Sequence, residues 1–192
     1  TNMTPMYVAC LNGHINIALW LFAVCAAPDI RPKGNFSSPM LAACFNGHLD
    51  IAKWLFKVGA SEDIRSRDMD GETPMGAACS RGHLDVAMWL YAIGAADDIR
   101  TKDFYDKTPM LAACFSGHLD VARWLFQVGA TEDIHNKDDS NSSVLFLACQ
   151  HGHLHMAKWL FEVGAAEDIR TKDNDGVTPM LDACCHGHLD VA

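Results

Sequence analysis

The sequence predicts an all-α solenoid, a row of helix–turn–helix units joined by hairpin-like loops. Three observations carry that prediction. First, "GHLDIAKWLF" at Gly47 has near copies at Gly13, Gly82, Gly117 and Gly152, and "GHLDVA" at Gly187 opens a further one. Second, these glycines are spaced by 34 residues once and by 35 thereafter. A fixed period in this range marks units that bury their faces only against their neighbours. Third, each unit shows start and stop signals for two helices and a turn. The units run approximately over 1–33, 34–68, 69–103, 104–138, 139–173 and a truncated 174–192, as one array of about six repeats. The chain opens in mid-repeat and stops inside a helix pattern, so it is read as a slice of a longer array.

The first helix of each unit opens at Thr-Pro, intact at Thr73-Pro74, Thr108-Pro109 and Thr178-Pro179 and conserved in chemistry at Ser38-Pro39. Threonine is an N-cap, and proline at the first helical position sacrifices an N–H that would be unpaired anyway. The small "AAC" stretch that follows allows helices to approach closely. Glycine before histidine ends this helix in the left-handed conformation. The second helix is expected from about Leu49 to Val58. Asp50, Lys53 and Lys57 form its wet stripe, and Leu49, Ala52, Leu55 and Phe56 the opposite face, flanked by Ile51, Trp54 and Val58. Gly59-Ala60 ends it, and "DGET" at Asp70 supplies a turn. In two later turns Asp106 and Asn141 stand where glycine would, and both residue types tolerate positive φ. Ser143-Val144 lacks the proline, which marks the fifth unit as the weakest. The stretch "RPKGNFSSP" lacks both turn acid and turn glycine, so an irregular hairpin is expected there.

With these residues in order, the unit resembles the ankyrin repeat: Thr-Pro, small residues, Gly-His-Leu, a Leu-rich second helix and Gly-Ala. The likeness spans essentially the whole chain and implies an ankyrin-like solenoid. A 34-residue helical repeat with a Trp/Leu/Gly/Tyr pattern is the nearest alternative by period, but it has neither the Thr-Pro nor the Gly-His signature. Three departures stand out. Leu41, Gly76, Leu111, Phe146 and Leu181 occupy the place of the family's histidine after Thr-Pro. The segment after Gly-Ala is two residues longer than usual, so a longer or bulged hairpin is expected. Tryptophans 20, 54, 89, 124 and 159 replace a leucine while alanines 18, 52, 87, 122 and 157 replace a valine, read as volume compensation within a core.

Of the 192 residues half are hydrophobic, and the formal net charge is −9. An acidic balance argues against nucleic acid as partner. No apolar run approaches the roughly 18 residues of a spanning helix, and no secretory signal is visible, so no direct membrane insertion is expected. Six of the cysteines (10, 44, 79, 114, 149 and 184) share one repeat position. They read as a column of reduced core thiols in an intracellular, cytoplasmic protein, with Cys25 and Cys185 the more reactive pair.

No catalytic constellation stands apart from the repeat, so the chain is read as no enzyme. No cofactor, no metal and no small-molecule substrate are implied. The histidine clusters "HGHLH" and "CCHGHLD" each contain the repeat-wide structural histidine and do not converge as zinc ligands would. The paired acids of "SEDIR", "ADDIR", "TEDIH" and "AEDIR" read as a solvated ridge. The resemblance places binding on hairpin tips and first-helix ends, which together form a concave face. There the copies differ, and the candidate partner-binding residues are Phe36, Phe45, Asn46, Met69, Arg81, Phe104, Tyr105, Lys107, Phe115, Gln150 and His151. Aromatics, Met and Arg are enriched in interface cores. Phe104, Tyr105 and Phe115 concentrate in one unit, as an apolar groove for a protein partner or as residues that a longer hairpin buries. The function implied is a protein–protein interaction scaffold. The alternative is a structural or regulatory segment of a larger polypeptide or assembly whose activity lies elsewhere.

Overall fold

The computed structural model describes residues 3–24, 30 and 38–191. Phe36, Cys25 and the hairpin expected to be irregular lie outside them. The described residues form eleven α-helices and several short 3-10 segments, with no strand among them. The chain groups into two compact units, Thr1–Asp98 and Ile99–Ala192.

In the first unit, α1 (Pro5–Leu11), α3 (Pro39–Phe45) and α5 (Pro74–Ser80) pack on one another in sequence. Each is followed after a short turn by a second helix: α2 (Ile15–Val24), α4 (Leu49–Lys57) and α6 (Leu84–Leu90). The last turn of α6 widens over Tyr91–Ala95, where Gly94 has φ 120°. In the second unit, α7 (Pro109–Ser116), α9 (Val144–Gln150) and α11 (Pro179–Cys185) form the stack, with α8 (Leu119–Gln127) and α10 (Leu154–Val163) as the second helices.

Of the stacked first helices, α3, α5, α7 and α9 are buried nearly all round, while α1 and α11 are buried on one side. Every residue of Pro39–Cys44 in α3 is buried, which only alanine- and cysteine-sized side chains at the contact permit. Their starts follow the expected caps: the side-chain oxygens of Thr4, Ser38, Thr73, Thr108 and Thr178 accept from the N–H three residues on. α9 has no proline, yet Ser143 caps Phe146 N at 3.2 Å and Val144–Cys149 are all buried. Burial there replaces what proline pre-organises. The second helices bury a narrower stripe. In α4 its centre is Ile51, Ala52 and Leu55, while Leu49 and Phe56 are only half-buried and the expected wet residues Asp50, Lys53 and Lys57 are exposed.

Each first helix ends in a Schellman turn. In the first, His14 N donates to Ala9 O at 2.9 Å and Gly13 N to Cys10 O at 3.5 Å, with Gly13 at φ 74°. The glycine has a second reason to lack a side chain. A Cβ on Gly13 would lie 2.7 Å from the His48 ring, on Gly47 2.5 Å from His83, on Gly117 2.6 Å from His153, and on Gly152 2.5 Å from His188. Each histidine thus seats its ring on the glycine one repeat back. From that seat His48 Nε2 donates to Leu11 O at 3.2 Å and His153 Nε2 to Phe115 O at 3.1 Å. These carbonyls at a helix end would otherwise lack an intrahelical partner.

The residues that lengthen the repeat do not enter the hairpin, contrary to expectation. They wind into 3-10 segments, Ser61–Arg65, Ala96–Arg100, Thr131–His135 and Ala165–Arg170. The hairpin turn itself stays tight: Asp68 N donates to Glu72 O at 3.1 Å and Asp103 N to Lys107 O at 3.0 Å. Asp106 and Asn141 hold φ of 58° and 62° in the later turns, as their chemistry predicts.

The 3-10 segments also correct the reading of the acids as a solvated ridge. In the pairs Asp97/Asp98, Glu132/Asp133 and Glu167/Asp168 only the first acid is wet, and the second is buried and held by the arginine or histidine one repeat back. Arg65 Nε and Nη2 both donate to Asp98 Oδ1, at 3.1 and 3.0 Å, Arg100 Nε donates to Asp133 Oδ1 at 2.9 Å, and His135 Nδ1 to Asp168 Oδ2 at 3.3 Å. Asp133 is 0% exposed against 80% for the side chain of its neighbour Glu132. The two partners respond oppositely. Hydrogen bonding to Glu132, with the charge of Asp133, raises the Arg100 pKa, while burial raises that of Asp133 against the pull of Arg100.

The tryptophans form the expected core only in part: Trp159 is buried, while Trp54, Trp89 and Trp124 are half-buried. Trp54, Trp89 and Trp159 each meet a phenylalanine of the preceding repeat edge-on: Phe22 at 5.6 Å, Phe56 at 6.0 Å and Phe126 at 5.9 Å. Trp20 is exposed. The compensating alanines 18, 52, 87, 122 and 157 are all buried. Cysteines 10, 44, 79, 114 and 149 are free and buried, but Cys184 in the same column is exposed, as is Cys185. Burial pushes Cys10 up to about 12 and Cys149 up to about 11, and raises Cys44, Cys79 and Cys114 further.

Five outcomes are expected. Gly117→Ala lowers stability in urea denaturation by about 2–4 kcal/mol, combining left-handed strain with collision against His153. Gly187→Ala, which has open space at its Cβ despite φ 80°, loses only the strain of about 1–2 kcal/mol. Arg100→Ala lowers stability at pH 7 by about 1–3 kcal/mol, because Asp133 stays buried without its cation. An acid whose pKa is raised on folding favours the folded state when protonated. Its contribution is therefore present at low pH and lost as pH rises from the ordinary carboxylate value through the raised one. The deficit of Arg100→Ala should accordingly shrink on acidification toward the ordinary carboxylate range, as denaturation compared at pH 7 and at about pH 4 would read. Finally, a disulfide thiol reagent with peptide mapping should modify Cys184 and Cys185 in the native protein, and the five buried cysteines only on unfolding.

Candidate functional site

The candidate residues sit where helix ends and hairpin tips meet. In the first unit, α3 ends at Phe45, and Asn46 closes the helix by donating its Nδ2 to Ala42 O at 3.1 Å. Arg81, at the equivalent end of α5, lays its guanidinium carbon 4.0 Å from the centre of the Phe45 ring. Such a stack holds the guanidinium flat and leaves its donors outward. Met69 projects from the tip of its hairpin, 68% exposed. The tip is built by Asp68, whose Oδ1 accepts from Asp70 N at 3.0 Å and Glu72 N at 2.9 Å, so Met69, between Asp68 and Asp70, points to solvent.

The second unit repeats this construction with more apolar residues. Asp103 Oδ1 accepts from Tyr105 N and Lys107 N, both at 2.8 Å, and the tip displays Phe104, 68% exposed, with Tyr105 beside it. At the equivalent tips stand Asp139 and Asn174, which are laced together by the Asn174 Nδ2 bond to Asp139 O at 3.0 Å. Apolar tips are thus confined to Met69 and Phe104 among the described hairpins.

Phe115 lies at the end of α7 and is 40% exposed, so the hairpin does not fold over it. His151, at the end of α9, sets its ring centre 4.2 Å from that of Phe115, and Lys107 Nζ lies 5.2 Å from the Phe115 ring centre. His151 is oriented by donating from Nδ1 to Leu147 O at 3.1 Å and by stacking at 6.1 Å on His153. Gln150 precedes it, half-buried, at the last residue of α9.

The structure therefore brings together Phe45 with Arg81, and Lys107 with Phe115 and His151. Met69, Phe104 and Tyr105 stand at hairpin tips. The pairing follows a rule invisible in a single repeat: the phenylalanine is two residues before one Gly-His glycine, and its cover is the residue just before the next. Exposed Met88 and Phe161 on the second helices were not signalled by the sequence, since they occupy repeat positions that elsewhere read as wet or core. No group of three or more His, Cys, Asp or Glu among the described residues is placed to hold a metal ion. No helix among the described residues is long and apolar enough to cross a membrane.

A comparison with curated protein sequences finds no significant match. A family model described as ankyrin repeats (3 copies) matches residues 39–138 and again 128–192. Those matches take in both units and most of the chain, and the helix pairs, Schellman turns and tight hairpins recur in phase with the Gly-His pairs, so this chain belongs to the ankyrin repeat family.

Proposed function

We propose that the chain is a non-catalytic protein-interaction scaffold whose hairpin tips and first-helix ends hold a partner protein, the six repeats acting as one array. Ankyrin repeats are generally protein–protein interaction modules and typically non-catalytic. The observation that carries the reading is the exposure of Phe104, Tyr105 and Phe115 on supports that cannot collapse. The tip is pinned by Asp103, and the helix end by the Schellman turn. An exposed aromatic on a rigid support loses little entropy on binding, which is what interface anchors need. Phe45 and Arg81 supply a second such position in the first unit. Asn46 and Met69 complete the surface of the first unit, and Lys107, Gln150 and His151 that of the second. Five buried, unpaired cysteines accord with a reducing, intracellular setting.

The test replaces Phe104 and Phe115 together by alanine. Both side chains are substantially exposed, so stability should change by no more than about 1 kcal/mol. Capture of the partner, identified by crosslinking to the wild-type chain, should fall by about tenfold or more. Unchanged capture at unchanged stability would refute the assignment.

A further inference from the structure

Three cations of the 3-10 and hairpin segments are neutralised: Arg65 by Asp98 and Asp97, Arg100 by Asp133 and Glu132, Lys102 by Asp106 at 3.3 Å. Arg81 and Lys107 stand differently. Neither makes an ion pair with a carboxylate among the described residues, and each instead lies on a phenyl face, of Phe45 and of Phe115. A ring quadrupole attracts a cation and narrows its rotamers, but it brings no negative charge. The positive charge is held in place and left unneutralised.

In the second unit this cation stands beside an exposed aromatic edge. Phe115 is covered by His151 and approached by Lys107, and its remaining surface faces solvent. His151 has committed Nδ1 to Leu147 O, which leaves Nε2 for an incoming group. The chain as a whole carries a formal charge of −9, so an acidic segment is repelled by most of its surface and favoured only where a cation is left open. Resting on the interaction face argued above, we propose that the second unit recognises a partner segment in which an Asp or Glu lies next to a large apolar residue, the carboxylate meeting Lys107 and the apolar side chain packing on Phe115. A phosphorylated segment fits less well. It brings a charge of about −1.5 to −2 to a place where the one permanent cation has the Asp103 and Asp106 carboxylates on the same hairpin.

The experiment selects peptides from a random dodecapeptide display library on the full chain and measures them by fluorescence polarisation. Wild type is compared with Phe115→Ala, Phe115→Leu and Lys107→Gln. Recovered peptides should be enriched in Asp or Glu beside an aromatic or large aliphatic residue. Phe115→Ala should weaken them about tenfold or more, with Phe115→Leu intermediate and guarding against a folding defect. Lys107→Gln should weaken them about three- to fivefold at about 50 mM salt and less than about twofold at about 500 mM. Changing the peptide's acid to its amide should cause a similar loss, with no further loss on adding Lys107→Gln. Peptides that need Phe115 but lack an acid, or whose acid is not coupled to Lys107, overturn the carboxylate and leave the interaction face standing. A phosphoserine peptide that binds more tightly than its aspartate counterpart overturns it too. Recovered peptides indifferent to Phe115, or no binder at all, overturn the interaction face and this inference with it.

Discussion

A histidine ring resting on a bare glycine backbone sets the register of each unit in this molecule. The glycine must adopt φ between 70° and 80° to close its helix, and it must also leave room for the ring, which comes within 3 Å of where a Cβ would be. The ring in turn reaches a carbonyl that the helix end leaves without an intrahelical partner, as His48 does to Leu11 and His153 to Phe115. One contact therefore satisfies the helix terminus, sets the distance between repeats and defines which residues of successive helices face each other. A repeat of this size buries too little apolar surface to stand alone, so stability comes from such interfaces between neighbours.

The same register builds the candidate site. When His83 seats on Gly47, Arg81 two residues before it is carried onto Phe45. When His153 seats on Gly117, His151 is carried onto Phe115. Scaffold and recognition surface are thus consequences of one interlock. The variable residues at helix ends are placed by the same contacts as the recurring ones beside them. Around this centre run two further interlocks, both reaching one repeat along: phenylalanine edges against tryptophan faces, and the cation of one 3-10 segment against the buried aspartate of the next. The second is the more conditional, since a carboxylate without access to water is tolerable only while its cation is present.

Much of this architecture was legible in one dimension. The period, the caps, the positive-φ positions at Asp106 and Asn141 and the small-residue face of the first helix all follow from local stereochemistry, and local stereochemistry is written residue by residue. Six copies of the same signals reinforce one another. The candidate site was legible only as composition. Phe104, Tyr105 and Phe115 drew notice because aromatics stood at positions of varying character, but nothing in their spacing said that they would be exposed, or that Lys107 and His151 would flank Phe115.

Sequence alone determined that this chain is a stack of helix pairs, where each helix begins and ends, and that histidine and glycine recur for structural reasons, because those properties depend on contacts within about 35 residues and are repeated in phase. Tertiary structure decided which acid of each pair is buried, that the additional residues coil as 3-10 helix rather than lengthen a hairpin, and which rings are covered. Each of those outcomes depends on what the adjoining repeat supplies at one point in space. A repeating pattern reads the same along the chain whether its neighbour there is a cation, a ring or water.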